Sequence, residues 1–269
     1  MAIAAAIQMN STAEVAQNLD AAHELLARAR QQQAVFAVLP ENFAIMAKHE
    51  RERLAAAEAP GEGPIQAFLA GAAREFRLWI VAGTIPLRIE GETRVAAASV
   101  VYNDAGIGVA RYDKIHLFDV DVPGGDERHR ESATMAPGRV PAHVATPVGN
   151  VGLSVCYDVR FPELYRKYSS EGAQLLTVPA AFTVPTGRAH WELLLRTRAV
   201  ENLCYVVAAA QTGKHQNGRE TYGHSMIVDS WGEILGVLPE GTGVVTAEID
   251  LTSQLEVRTR FPALSHRRL

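Results

Sequence analysis

What this chain has little of narrows its reading first. Two cysteines in 269 residues cannot build a disulfide framework, so a reducing compartment is the default. No apolar run approaches the ~18 residues a membrane-spanning helix needs. Neither sign of charge dominates: 26 Lys and Arg stand against 30 Asp and Glu, a formal net charge of -4. That balance lacks the basic stripe of a nucleic-acid binder and the polybasic patch of a membrane-surface protein. The opening "MAIAAAIQMN" is apolar but carries no basic stretch ahead of it, which argues against a secretory signal. No repeat of fixed period and no low-complexity tract breaks the chain. The expectation is a soluble cytoplasmic protein that binds neither nucleic acid nor membrane.

What is present is a 48% hydrophobic chain, enough for one large core, in which short apolar runs alternate with amphipathic stretches. Residues 2–9, 34–42 and 78–87 read as strands. Between the first two lies a helical pattern (Val15, Leu19, Ala22, Leu26) with Ser11 or Thr12 as its N-cap. "GPIQAFLAGAAREF" reads as a second helix. "VAAASVVYNDAG" and "GVARYDKIH" form a hairpin turned by Asn103, Asp104 and Gly106. Residues 121–142, rich in Gly, Pro and charge, read as a long ordered loop. Strand 151–155, helix 162–172, strand 173–182, helix 189–202 and strand 204–212 follow, and hairpins close the chain. Interleaving from end to end, without a composition break, points to one α/β domain over residues 1–269.

In "LSVCYDVRFPEL", Cys156 falls where an apolar run stops, and Pro162 suits a helix's first turn. A thiol in such a strand-to-helix turn lies near backbone N–H groups that favour a thiolate and can hold an oxyanion. An inert buried thiol is the alternative that position leaves open. Cys204 opens a strand and reads as core. Glu41 ends the apolar strand "AVFAVLPEN", at the edge where α/β proteins place their sites. Lys114, in "RYDKIHLF", taken alone reads as a snorkelling surface residue. His116 and Asp119 lack the spacing that completes a metal-ligand set, so no metal is expected.

Together, "VLPEN", "RYDKIHLFDVD" and "CYDVRFPEL" closely resemble, in order and spacing, the three catalytic blocks of the nitrilase superfamily of carbon–nitrogen hydrolases. The resemblance covers essentially the whole chain. It implies a four-layer α-β-β-α sandwich and a homodimer or larger homo-oligomer, with a C-terminal arm at about 259–269 packing on a partner subunit. It also implies a cofactor-independent amidase with Glu41, Lys114 and Cys156 as its triad. Glu131 would position Lys114, and the Tyr157 backbone N–H would share the oxyanion. "PAAFTVPTGRAHWELLLRTRAVENLCYVVAAAQTG" and "YGHSMIVDSWGEIL" are similar to the branch that hydrolyses deaminated glutathione; the ω-amidases are the neighbouring branch. The substrate expected is a small carboxylate-bearing primary amide, cleaved to acid and ammonia through a thioester. Arg160 is expected to bind its carboxylate, with Phe182 as pocket wall, Thr186 as donor and His190 as support. A non-catalytic scaffold, a metal-dependent phosphoesterase on a similar sandwich and a nitrilase proper are the rival readings.

Overall fold

The computed structural model describes residues 2–122 and 128–268. In chain order its elements are β1 (Ala2–Gln8), α1 (Val15–Gln31), β2 (Ala34–Val38), α2 (Glu50–Ala55), α3 (Pro64–Phe76), β3 (Trp79–Val81), β4 (Ile85–Arg88), β5 (Val95–Tyr102) and β6 (Gly108–Asp113). There follow β7 (Asp119–Asp121), β8 (Arg128–Arg130), β9 (His143–Thr146), β10 (Gly149–Leu153), α4 (Pro162–Ser170), β11 (Leu175–Thr177), α5 (Val184–Asn202) and β12 (Tyr205–Ala208). The chain ends with β13 (Thr212–Lys214), β14 (Glu220–Tyr222), β15 (Ser225–Val228), β16 (Ile234–Leu238), β17 (Gly243–Ile249) and α6 (Leu251–Arg260).

Two mixed sheets carry the fold. One runs β17-β1-β2-β3-β5-β4 with β6 beside β5; the other runs β16-β15-β12-β11-β10-β9. Because side chains alternate along a strand, the first sheet splits its apolar residues between two cores. Ala4, Ala6, Phe36, Val38, Val81 and Val101 join Val151, Leu153 and Val206 of the second sheet. Their neighbours Ala5, Ile7, Ala37 and Ile80 pack instead with Leu25 and Leu26 of α1 and Leu69 of α3. On the second sheet, Tyr165 and Tyr168 of α4 and Trp191 and Leu195 of α5 complete the outer layer. The result is the α-β-β-α sandwich expected, and its middle strands read as continuous apolar runs because both faces are covered.

Several local readings change. Glu14, not Ser11 or Thr12, is the N-cap of α1, and its side chain makes no capping bond. Ser11 instead donates to the Phe43 carbonyl (2.8 Å), and Thr12 Oγ1 accepts from the Glu14 N–H (3.1 Å). The single strand expected over 78–87 is two, β3 and β4, broken at Gly83. Helix α5 begins at Val184 with Pro185 in its first turn, five residues ahead of the expectation, so Thr186 is helical. Strand 204–212 likewise divides into β12 and β13. Part of the expected 121–142 loop is ordered secondary structure: Asp121 pairs with Arg128 in the β7–β8 hairpin, and Met135 bridges to Val95. Residues 123–127 of that loop lie outside the described residues.

The clearest addition is α6. Asp250 caps it by accepting from the Thr252 and Ser253 N–H groups (2.9 and 3.0 Å). Gln254 and Arg258 then reach inward to the Leu203 carbonyl, each at 3.0 Å. Arg258 also contacts the sulfur of Cys204, which is buried as expected of a core residue.

Gly83 matters beyond the strand break. It has φ +57°, and a Cβ there would stand 2.0 Å from the Pro40 carbonyl oxygen, immediately before Glu41. Gly83→Ala is expected to cost at least ~2 kcal/mol through left-handed strain and backbone collision. A urea-unfolding midpoint equal to wild type would contradict this.

Candidate active site

Three chain segments meet at the ends of the central strands. Glu41 follows β2 and is clamped through its backbone: its carbonyl accepts from Gln211 Nε2 (3.1 Å), and the next N–H, of Asn42, donates to Thr84 Oγ1 (2.8 Å). Lys114 follows β6, its N–H donating to the Ala97 carbonyl (3.0 Å) and its carbonyl accepting from the Gly138 N–H (2.8 Å). Glycine is required at 138, since a Cβ would lie 2.0 Å from the Asp113 oxygen.

Cys156 opens a 3-10 turn, Cys156–Arg160, after β10. Its φ of +49° is left-handed, a strained conformation for a side-chain-bearing residue, and its N–H is held by the Pro179 carbonyl (2.8 Å). Buried Asp158 braces this turn. Its Oδ2 accepts from the Val155 N–H (2.8 Å) and the Tyr112 hydroxyl (2.7 Å), while its Oδ1 contacts the His116 N–H (3.1 Å) and Nδ1 (2.7 Å). Tyr112 and His116 flank Lys114 in sequence, so one carboxylate ties the lysine segment to the cysteine segment. Sequence reasoning weighed His116 only as a metal ligand and passed over Asp158.

The functional groups converge. Lys114, 1% exposed, donates to Glu41 Oε1 (2.8 Å) and to both oxygens of Glu131 (2.8 and 3.0 Å). Glu131 is further held by the Phe118 N–H (2.7 Å). Cys156 lines the same cleft as Glu41, Lys114 and Glu131, close enough that its thiol and the Glu41 carboxylate shift each other's protonation. The surface-lysine reading of Lys114 is overturned, because two carboxylates draw it into the interior.

Burial alone raises Glu41. The Lys114 charge and the hydrogen bonds from Lys114 and Cys156 outweigh it, holding the carboxyl below its ordinary 4.5. Burial works against the Lys114 ammonium, but Glu131 and Glu41 more than offset that and hold its pKa above the ordinary lysine value. For Cys156, burial and then Glu41 push the thiol up, and Lys114 offsets only part. The thiolate-favouring turn expected from sequence is therefore corrected: a five-residue 3-10 turn does not outweigh burial beside an anion. The site thus sets a thiol that resists ionisation beside a carboxylate that favours it and a lysine held in its charged form.

Two spaces adjoin Cys156. A narrow slot is walled by Phe118, Tyr157, Arg160, Phe182 and Thr186, with Arg219 at its side. Arg160 lies over the Phe182 and Tyr157 rings at 5.4 and 5.8 Å. Phe182 leans on buried Trp191 (4.7 Å), whose Nε1 donates to the His224 carbonyl (2.9 Å). Thr186 Oγ1 contacts Thr183 Oγ1 at 2.9 Å. His190 is not among the slot residues; its Nδ1 contacts Arg160 (3.3 Å) from behind. The second space is an open polar cleft of about 310 Å³, with Glu41, Lys114, Glu131 and Cys156 in its lining.

Arg219 borders both spaces and bonds the Ala181 carbonyl, and its charge helps lower Glu41. Sequence reasoning missed it, since "NGRET" reads as a turn. On α5, Arg198 forms an ion pair with Glu201 at 2.6 Å and Arg196 with Glu192 at 3.3 Å. Asp119 accepts from the Ser132 N–H (3.0 Å). Among the described residues, no group of three His, Cys, Asp or Glu is arranged to hold a metal ion, and no helix is long and apolar enough to cross a membrane.

Residues 3–259 match the carbon-nitrogen hydrolase family model. The chain belongs to the carbon-nitrogen hydrolase family. It is 46% identical, over 98% of its length and 97% of the relative's, to the deaminated glutathione amidase of Synechocystis sp.. The Homo sapiens protein of that name is 41% identical over 99% of this chain and 82% of its own. The crystal structure of Saccharomyces cerevisiae Nit3, a member of branch 10 of the nitrilase superfamily, superposes with a TM-score of 0.89 at 30% identity, covering 100% of this chain and 97% of that one. As a family member this chain is a hydrolase of carbon–nitrogen bonds, and a small-molecule amide is its class of substrate.

Proposed function

We propose that this protein is a deaminated glutathione amidase in which Cys156, Glu41 and Lys114 carry the reaction. The observation that carries the reading is the Glu41–Lys114 ion pair (2.8 Å) gathered with Cys156 in one lining, at the junction of slot and cleft, and the likeness to relatives of that name supports the substrate. Glu41 takes the thiol proton as Cys156 Sγ attacks the amide carbonyl. Lys114 Nζ and the Tyr157 N–H stabilise the oxyanion, and Glu131 keeps Lys114 charged and oriented. Glu41 returns the proton to the leaving nitrogen, the amine departs, and a thioester remains. Glu41 then activates water, which displaces Cys156 and releases the acid. Arg160, at the slot walled by Phe182 and Thr186, offers a carboxylate-binding cation to the acyl chain.

The amides of glutathione are secondary, so with deaminated glutathione the leaving group is a peptide amine. Ammonia is released only from primary amides such as α-ketoglutaramate, the substrate of the rival ω-amidase reading. A kcat/KM comparison of the two substrates on the purified enzyme tests the assignment. Deaminated glutathione is expected to be preferred; preference for α-ketoglutaramate favours the ω-amidase, and hydrolysis of neither favours a scaffold.

A homodimer is also part of this reading. Leu193 and Val200 on α5 are 65% and 47% exposed, and Trp231 and Phe261 are 59% and 52% exposed while touching edge to face at 5.5 Å. This apolar surface joins α5 to the residues that follow α6, the arm expected at 259–269. Leu269 lies outside the described residues.

Three outcomes check these assignments. Cys156→Ala is expected to abolish turnover with an unchanged unfolding midpoint, and Cys156→Ser to lose nearly all of it, because an alkoxide is harder to form than a thiolate; near-wild-type rates in either variant contradict the thioester. The pH profile of kcat/KM follows from Glu41, which is ionised above its depressed pKa and loses its base function as pH falls through it. The acid limb is thus expected below 4.5, with no loss on approach to 9.0, since the thiol is raised above that value. An acid limb well above 4.5 rules out a lowered Glu41 as the base. Light scattering of wild type and Leu193→Asp checks the dimer: a monomeric wild type, or an undisturbed variant, contradicts that surface.

A further inference from the structure

The cleft beside Cys156 has an uneven charge that the reaction does not use. At its floor, Glu41 and Glu131 are both bonded to Lys114. Above that floor, among the described residues, every other charged or basic side chain in the lining is cationic or an imidazole: Lys48, His49, Arg53, Arg128, Arg130 and Arg219 are among them. The chain as a whole has more acids than bases, at net -4, so this wall runs against its overall charge. Three separate segments supply it, and Asn217 Nδ2 ties two of them together by donating to the Ala47 carbonyl (3.0 Å). Arg130 is engaged with Asp121 (2.9 Å) and with the Val120 and His129 carbonyls, whereas Arg128 and Lys48 stand exposed at the rim.

We propose that this cationic wall is a leaving-group subsite, in which Arg128, with Lys48, receives the C-terminal carboxylate of a peptide amine. The inference rests on the reading of the substrate given above and deepens it by assigning the two halves to two spaces. The acyl half is directed toward Arg160 at the mouth of the slot, whose interior of about 10 Å³ is too small to take it in, with its reacting carbonyl at Cys156. The departing peptide lies in the open cleft. Two features favour this orientation. The cleft, unlike the slot, has room for a dipeptide, at about 310 Å³. Its wall also offers cations to an anion lying several bonds beyond the broken amide, where ammonia would leave nothing to bind. Placing recognition there gives discrimination between long and short amides without altering the floor that performs the chemistry.

The test is binding calorimetry on the full-length Cys156→Ala protein, which cannot consume its ligand. The probes are deaminated glutathione and its analogue with a carboxamide at the C-terminus. The free carboxylate is expected to bind roughly tenfold tighter, as for one charge-assisted contact. Arg128→Gln in the same background is expected to remove most of that ratio, and added salt to shrink it. Equal Kd values for the two ligands, or a ratio untouched by Arg128→Gln, overturn the subsite. Turnover of the wild-type enzyme is measured separately. Failure there, with the binding ratio intact, overturns the reaction assignment and leaves the subsite standing.

Discussion

The site depends on one buried cation. Lys114 sits in the interior between Glu41 and Glu131, with its ammonium within 2.8 Å of each. Removing one partner from such a group costs on the order of 3–5 kcal/mol, because the remaining charge is left without compensation. Lys114 therefore holds the ends of β2, β6 and the 131–133 turn in one geometry. It also fixes the protonation states around it: Glu41 ionised, the lysine charged, and the thiol protonated until a substrate arrives.

Around this cation the scaffold is redundant in a way that suits a strained cysteine. Cys156 keeps a left-handed backbone because its neighbours leave it no other course. The Pro179 carbonyl takes its N–H, and Asp158 takes the N–H of Val155. Asp158 also takes the Tyr112 hydroxyl and the His116 N–H, so strain at the cysteine is offset by hydrogen bonds to the lysine segment. The sandwich contributes the rest. Two sheets buried on both faces make a rigid platform, and the groups that meet lie at strand ends, where side chains can point into open space.

The charge pattern around Cys156 separates two tasks. The floor holds two carboxylates around one ammonium, a cluster whose proton positions matter. The slot has Arg160 set against aromatic rings, and the cleft wall carries cations from three segments, one of which, Arg128 to Arg130, runs directly into Glu131 of the floor. A substrate with carboxylates at both ends would span the two, with its reacting bond where they meet.

Much of this was legible in the sequence. Alternating apolar runs told of an α/β chain, and the three blocks around Glu41, Lys114 and Cys156 told which side chains to bring together. Those signals are local, carried by periodicity, by residue type and by short motifs. What they left out was set by contacts between residues far apart. Lys114 resembles a surface lysine until two carboxylates, 73 and 17 positions away, are seen to bury it. The thiol resembles an activated one until burial beside Glu41 is weighed. Arg219 looks like a turn residue until it is seen to border both spaces, and α6 has no strong apolar stripe because Gln254 and Arg258 hold it through polar bonds. Sequence alone determined the chemistry available to this protein. Tertiary structure decided which groups are charged, which are strained and which cations gather around the cleft, because desolvation and electrostatic partnership arise only once the chain has packed.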